Sequence, residues 1–337
     1  MRRFHQWILL HKRNLLFYPL LFLLLMFSGC GKEDNQPVVI TGPLKDVRFW
    51  AYQLEGLDRP SAIDSICNSH YDLIVMDQER NIAGDEDYDN SSDVSKIKAS
   101  QNSSGKGKLV LSYIDVGQAE SYRYYWKAEW DLAHPSWMME KDPDGWNDSY
   151  GVKFWAPEWK AIMKSYIDRI IEDGFDGIYM DWLMIYEEQS IIDAAKNEGL
   201  ESGPALVAFV KELSDYAHSK KSDFLFVAQN APELGQYNEY LSIIDGIAQE
   251  DIWYDGSGDP DNGGSQGDVG IDPSESEYVI EQLNVWLQNN KPVLNVEYAS
   301  QPANVSRAYT LGAQNHFVTY TSLRLLDKLT QTPPPGY

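Results

Sequence analysis

Seven short apolar runs in the chain close on a carboxylate or a carboxamide: Gln53, Asp77, Asp115, Asp181, Asn230, Glu250 and Glu297. Carboxylates gathered at one cleft can do two kinds of chemistry. A pair flanking a sugar linkage can hydrolyse it: one carboxylic acid protonates the leaving oxygen, and the other group attacks the anomeric carbon or activates water. A ring of them can instead hold a hard divalent cation through oxygen ligands. The Gly/Asp-rich segment from Asp255 to Asn262 is the most calcium-like stretch, but it lacks the spacing of the twelve-residue calcium loop. No Cys/His set has zinc spacing either, so no metal or other cofactor is expected.

The runs that carry these groups span 47–53, 71–77, 108–115, 177–181, 224–230, 243–250 and 292–297, and an eighth, 316–321, has Tyr320 near its end. Near-continuous apolar character in runs this short marks strands buried on both faces, as in a parallel sheet covered by helices. Between the third and fourth runs the helical signal is clearest. Pro157 suits a first turn, Trp159, Met163, Tyr166, Ile167, Ile170 and Ile171 fall on one face, and Gly174 stops the helix. Further helices are expected over 61–69, 205–218, 275–288 and 303–311. Eight strands separated by helical stretches predict an α/β fold of the (β/α)8 TIM-barrel class, in which the strand ends converge on one face. The competing fold, an open doubly wound sheet, would want a Gly-rich turn after the first strand, and none is present.

The chain of 337 residues has 51 Asp+Glu against 28 Lys+Arg and a formal charge of −23, which argues against a nucleic-acid partner. Aromatic residues make up 13% of it, too many for a disordered chain. Five of the 11 Trp (Trp126, Trp130, Trp137, Trp146 and Trp155) lie in the long connection 116–156. On the catalytic face of a barrel such a stretch can offer ring faces to sugars, but about half of its aromatics are expected to pack on one another. At the other extreme of the chain, Arg2, Arg3, Lys12 and Arg13 precede an apolar run over 15–27, then Ser28, Gly29 and Cys30. This reads as a secretion signal, since the run is shorter than a membrane span. It resembles a bacterial lipoprotein signal, with Cys30 as the lipidated residue and Gly31 to Asp34 like the charged tag of surface-exposed lipoproteins. The expected organisation is a signal over 1–29, lipidated Cys30 and tether over 30–45, one barrel domain over 46–330 and a tail over 331–337. The membrane is then met only through the lipid, at the outer membrane or cell surface. Cys67 remains as a small hydrophobe in a helix.

Longer motifs carry a resemblance. WAYQLEG from Trp50, LSYIDVGQAESYRYYW from Leu111, VKFWAPEW from Val152, GFDGIYMD from Gly174, AQNAPEL from Ala228, DGIAQED from Asp245 and VEYAS from Val296 occur in the order found in glycoside hydrolase family 114. The resemblance spans about 50–325 and implies a TIM-barrel enzyme similar to endo-α-1,4-polygalactosaminidases, acting on an amino-sugar polysaccharide. It implies that Asp181 and Glu250 are the catalytic carboxylates, assigned as nucleophile and general acid/base. Tyr52, Asp77, Tyr113, Arg123, Trp155, Asn230, Glu297 and Tyr298 are expected at the substrate, with Arg123 equally suited to pairing with a neighbouring carboxylate. Two positions depart from the family: Met184 stands where a second Asp is common, and Gln118 where a Glu is common. Each removes a negative charge near the expected sugar site. The alternatives are a glycosidase with a neutral substrate and a non-catalytic glycan-binding lipoprotein.

Overall fold

A computed structural model describes residues 38–80, 88–142, 146–256, 264–330 and 332–337. The signal, Cys30 and most of the Gly/Asp-rich segment lie outside the described residues. Eight strands form one sheet in sequence order: β1 (Trp50–Tyr52), β2 (Leu73–Asp77), β3 (Leu109–Asp115), β4 (Gly177–Asp181), β5 (Leu225–Gln229), β6 (Gly246–Glu250), β7 (Val293–Tyr298) and β8 (Val318–Ser322). Every pairing from β1–β2 through β7–β8 is parallel. Across the remaining gap the Trp50 indole donates to the Val318 carbonyl at 2.8 Å, which draws β1 and β8 together into a nearly closed (β/α)8 barrel.

Large aromatics fill the interior. Trp50 and Tyr52, two residues apart and therefore on the same face, meet Tyr179 at centroid distances of 6.2 and 5.0 Å, and Tyr320 lies 5.9 Å from Trp50. Outside run the helices α1 (Ala62–Asn68), α2 (Ser91–Ala99), α3 (Pro157–Glu172), α4 (Gln189–Asn197), α5 (Ser202–Lys220), α6 (Asn238–Ile243), α7 (Pro273–Gln288) and α8 (Pro302–Gln314). The expected apolar stripe of α3 is buried from Trp159 to Ile170, and the chain leaves the helix at Gly174 with φ 87°. Three helices, α2, α4 and α6, lie outside the expected ranges. In α2 only Val94 and Ile97 are buried apolar residues, too few to show a periodicity. Cys67 is half-buried in α1.

The barrel unit reaches beyond 46–330 at both ends. Leu44 is buried beneath the barrel, where an added Cβ on Gly246 would lie 3.1 Å from its Cδ1, and the Thr41 amide donates to the Asn290 carbonyl. At the other end the Tyr337 ring packs on Tyr71 and Phe49, and its hydroxyl accepts from the His70 amide at 2.9 Å. Apolar side chains on both flanks find cover only against the barrel.

The connection 116–156 is not a plain loop. Three antiparallel strands, Gln118–Glu120, Ser149–Val152 and Met138–Lys141, form a small sheet with Ser149–Val152 in the centre. Trp126, Trp130, Trp137 and Trp159 pack successively, with centroids 5.3 to 5.4 Å apart, so most of the aromatic surplus makes a private core.

Helix α8 lacks a side-chain cap of its own and takes one from a distant loop. Asp268 accepts from the Gln301 amide at 3.1 Å, the Ser300 hydroxyl at 2.8 Å and the Asn304 amide at 2.9 Å. Replacing Asp268 by Ala leaves those donors without their anion, and about 1–2 kcal/mol of stability is expected to go with it. Urea denaturation of the variant checks this. An unchanged midpoint would mean that the helix start needs no borrowed cap.

Candidate active site

The ends of β4, β5 and β6 lie side by side, and each continues into a left-handed residue: Trp182 (φ 55°), Asn230 (φ 60°) with Ala231 (φ 51°), and Asp251 (φ 58°). Non-glycine residues avoid this conformation unless their surroundings impose it, and such strain gathers at functional sites. Its local effect is visible at Asp181. The left-handed turn aims the Trp182 amide back at Asp181 Oδ1, 2.7 Å away, while the Tyr113 hydroxyl donates to Oδ2 at 2.9 Å. Gly117 is needed beside this turn, because a Cβ there would stand 2.2 Å from the Trp182 carbonyl oxygen.

Glu250 is held in the same manner from other strands. The Asn230 amide donates to Oε2 at 3.1 Å and the Tyr298 hydroxyl to Oε1. Asn230 also accepts from the Glu250 backbone amide through Oδ1, so it grips that residue at both ends. Below the two carboxylates lie Tyr52, whose hydroxyl donates to Gln229 Oε1 at 3.2 Å, and the buried Tyr179.

Burial, and next the charge of Glu250, push the Asp181 carboxyl up to about 7, against the Trp182 amide and Tyr113 hydroxyl, which favour its ionised form. Asp181 therefore senses the charge of Glu250 across the barrel mouth. A carboxyl that holds its proton toward neutrality beside a second carboxyl is the kind of pairing that hydrolysis of a glycosidic bond uses.

The structure brings Asp181, Glu250, Tyr52, Tyr113, Asn230 and Tyr298 together, and it separates the other expected residues from them. Asp77 and Arg123 are buried against each other, with Arg123 Nη1 2.7 Å from Asp77 Oδ1 and Nε 2.7 Å from Glu120 Oε2. Glu297 is fully buried, and its carboxylate accepts the backbone amides of Ile252, Trp253 and Tyr254 and the Asn295 side chain. It shapes the turn after Glu250 rather than facing a ligand. Trp155 sits off the barrel axis, its indole donating to Glu198 at 2.7 Å. Two further strand-end groups also serve the backbone: Asp115 accepts from the Gly117 and Gln118 amides, and Gln53 donates to the Glu55 and Asp327 carbonyls.

Arg324 is a residue that the reading of the strand ends passed over. It lies two positions beyond β8, with Nη1 3.0 Å from Asp255 Oδ1 and 3.8 Å from Asp251 Oδ2. Among the described residues no group of three His, Cys, Asp or Glu is arranged to hold a metal ion.

The model of Glycoside-hydrolase family GH114 matches residues 38–334. An uncharacterized protein of Deinococcus radiodurans is 28% identical over 335 residues, covering 94% of this chain and 99% of that one. The glycoside hydrolase domain of PelA from Pseudomonas aeruginosa superposes with a TM-score of 0.62 at 18% identity, over 84% of this chain and 97% of that one. Aspergillus fumigatus Ega3, solved in complex with galactosamine, does so with a TM-score of 0.59 at 16% identity, over 86% and 98%.

Proposed function

The chain belongs to glycoside hydrolase family 114, and on that footing we propose that it is an endo-acting hydrolase of an α-linked, amino-sugar-containing polysaccharide that uses Asp181 and Glu250. The observation that carries this reading is the pair itself. Two carboxyls stand at the ends of β4 and β6, each gripped by a tyrosine hydroxyl and a second donor, and each within reach of the other's charge. In the productive form Asp181 is ionised and faces the anomeric carbon, and Glu250 acts as the general acid toward the leaving oxygen. Tyr113, Tyr298 and Asn230 aim the two carboxyls, and Tyr52 and Tyr179 close the floor against water. Galactosamine bound to the similarly folded Ega3 favours an amino sugar here. Cys30 carries a lipid in this reading and places the barrel on the cell envelope.

A neutral glycan is the second reading, favoured by the two family departures. Gln118 donates to Asp142 Oδ2 at 2.7 Å, an arrangement that a second carboxylate would disrupt, and Met184 packs against the core. The test is a soluble chain beginning after Cys30, assayed for reducing ends on a deacetylated galactosamine polymer and on neutral α-glucans. Release from the amino-sugar polymer is expected. Release from the neutral glucans alone would select the second reading, and release from neither would refute both.

A further inference from the structure

Most tryptophans of the 116–156 excursion have partners that occupy them. Trp130 and Trp137 are 7% and 4% exposed, Trp126 donates to Asp131 and packs on Tyr150, and Trp155 is tied to Glu198. Trp146 is the exception, with 40% of its surface open. Burial as part of the private core does not account for it.

Two sets of contacts fix where it stands. From the β3 side, Asp142 accepts the Trp146 backbone amide at 3.2 Å through Oδ1 and is itself held through Oδ2 by Gln118, three residues past the end of β3. From the β8 side, the Arg324 guanidinium carbon lies 6.0 Å from the Trp146 ring centroid and 5.5 Å from that of Tyr298. Tyr298 in turn holds Glu250. Asp255 and Asp251 fix Arg324, so the cation cannot swing away from the ring it touches. The excursion thus reaches from β3 to the rim beside β7 and β8, and it sets an open indole by Arg324, which in turn lies by the residue that supports Glu250.

We propose that Trp146 is a sugar-stacking platform at the rim of the cleft, held there by Arg324 and by the Gln118–Asp142 bond, and that it receives a pyranose ring of the glycan beyond the scissile linkage. The ligand class rests on the function proposed above. An aromatic ring offers its face to the apolar C–H face of a pyranose, and Arg324 is already paired with Asp255 and Asp251, so this contact reads ring shape rather than substrate charge. Arg324 and Gln118 act through Trp146 and are positioning residues. Gln118 thereby gains a use: a Glu at this position would face Asp142 with a second negative charge and loosen the carboxylate that holds the Trp146 amide.

The test is calorimetric binding of deacetylated galactosamine oligosaccharides, and in parallel of neutral α-glucan oligosaccharides, to the full-length Asp181→Asn chain. Trp146→Ala is expected to weaken binding roughly five- to ten-fold, by a factor that holds at low and at high salt, while Trp146→Phe keeps most of the affinity. Gln118→Glu and Arg324→Lys are expected to weaken binding by smaller factors, with Gln118→Glu producing no further loss once Trp146 is Ala. Equal affinity of Trp146→Ala and its parent for every oligosaccharide bound would overturn the proposal, as would a loss in Trp146→Phe as large as in Trp146→Ala. Hydrolysis is scored separately: a wild-type chain that releases no reducing ends defeats the proposed function, while binding still decides the role of Trp146.

Discussion

Asp181→Asn and Glu250→Gln are each expected to cut polysaccharide hydrolysis by about 10³-fold or more while leaving a folded barrel. The geometry makes the loss severe because no neighbouring group can substitute. The other carboxylates near the strand ends are already engaged: Asp77 with Arg123, Asp251 with Arg324, and Asp115 and Glu297 with backbone amides. The pH dependence follows from the carboxyl pushed up to about 7 by burial and by Glu250. Asp181 attacks in its ionised form, so the rate is expected to fall along an acid limb as pH drops through about 7. The same shift acts on stability. In the unfolded chain an Asp gives up its proton near 3.9, so between about pH 4 and about pH 7 the native state binds the additional proton. Stability then drops as pH rises through this window, and the cost is fully present above it. Asp181→Asn removes that cost. The variant is expected to melt above wild type at pH 8 and to approach it at pH 4, which calorimetry at the two pH values checks. A variant that melts below wild type at pH 8 would show that Asp181 is not strained by ionisation, and retained activity would remove it from the site.

The barrel was legible because a strand buried on both faces must be written in consecutive apolar residues, as in Leu73 to Met76 or Leu225 to Ala228. What the pattern does not carry is the direction in which a strand-end residue points. Glu297 and Tyr298 are adjacent in β7 and face opposite ways. Tyr298 reaches Glu250, whereas Glu297 turns with Asn295, two residues before it, toward the backbone of 252–254. A carboxylate at a strand end is therefore a good marker of the catalytic face and a poor marker of the cleft. Asp181 and Glu250 stood out through their motifs, and the strand-end rule placed them independently. Arg324 is invisible to the strand-end rule because the eighth run, 316–321, stops short of β8, which ends at Ser322, and the side chain follows two residues later. Arg123 was ambiguous for a different reason. Nothing in the local sequence says that Asp77, 46 residues away, folds against it.

Arg123 is where the second large effect is expected, on stability rather than on turnover. Its side chain has no exposed surface, and it bonds Asp77 and Glu120 with Glu79 3.9 Å from Nη1. Burial pushes the Glu79 carboxyl up to about 8, so near neutrality the cluster holds one cation, two carboxylates and a neutral acid. Removing the cation leaves two buried carboxylates without a counter-charge. Arg123→Met is expected to cost about 3–5 kcal/mol in urea denaturation at pH 8. The site feels the change through Tyr113, which lies 5.9 Å from the guanidinium and donates to Asp181. A substrate-binding arginine would behave differently. Its removal would raise KM at unchanged stability, and that result would return Arg123 to the cleft from which its burial separates it.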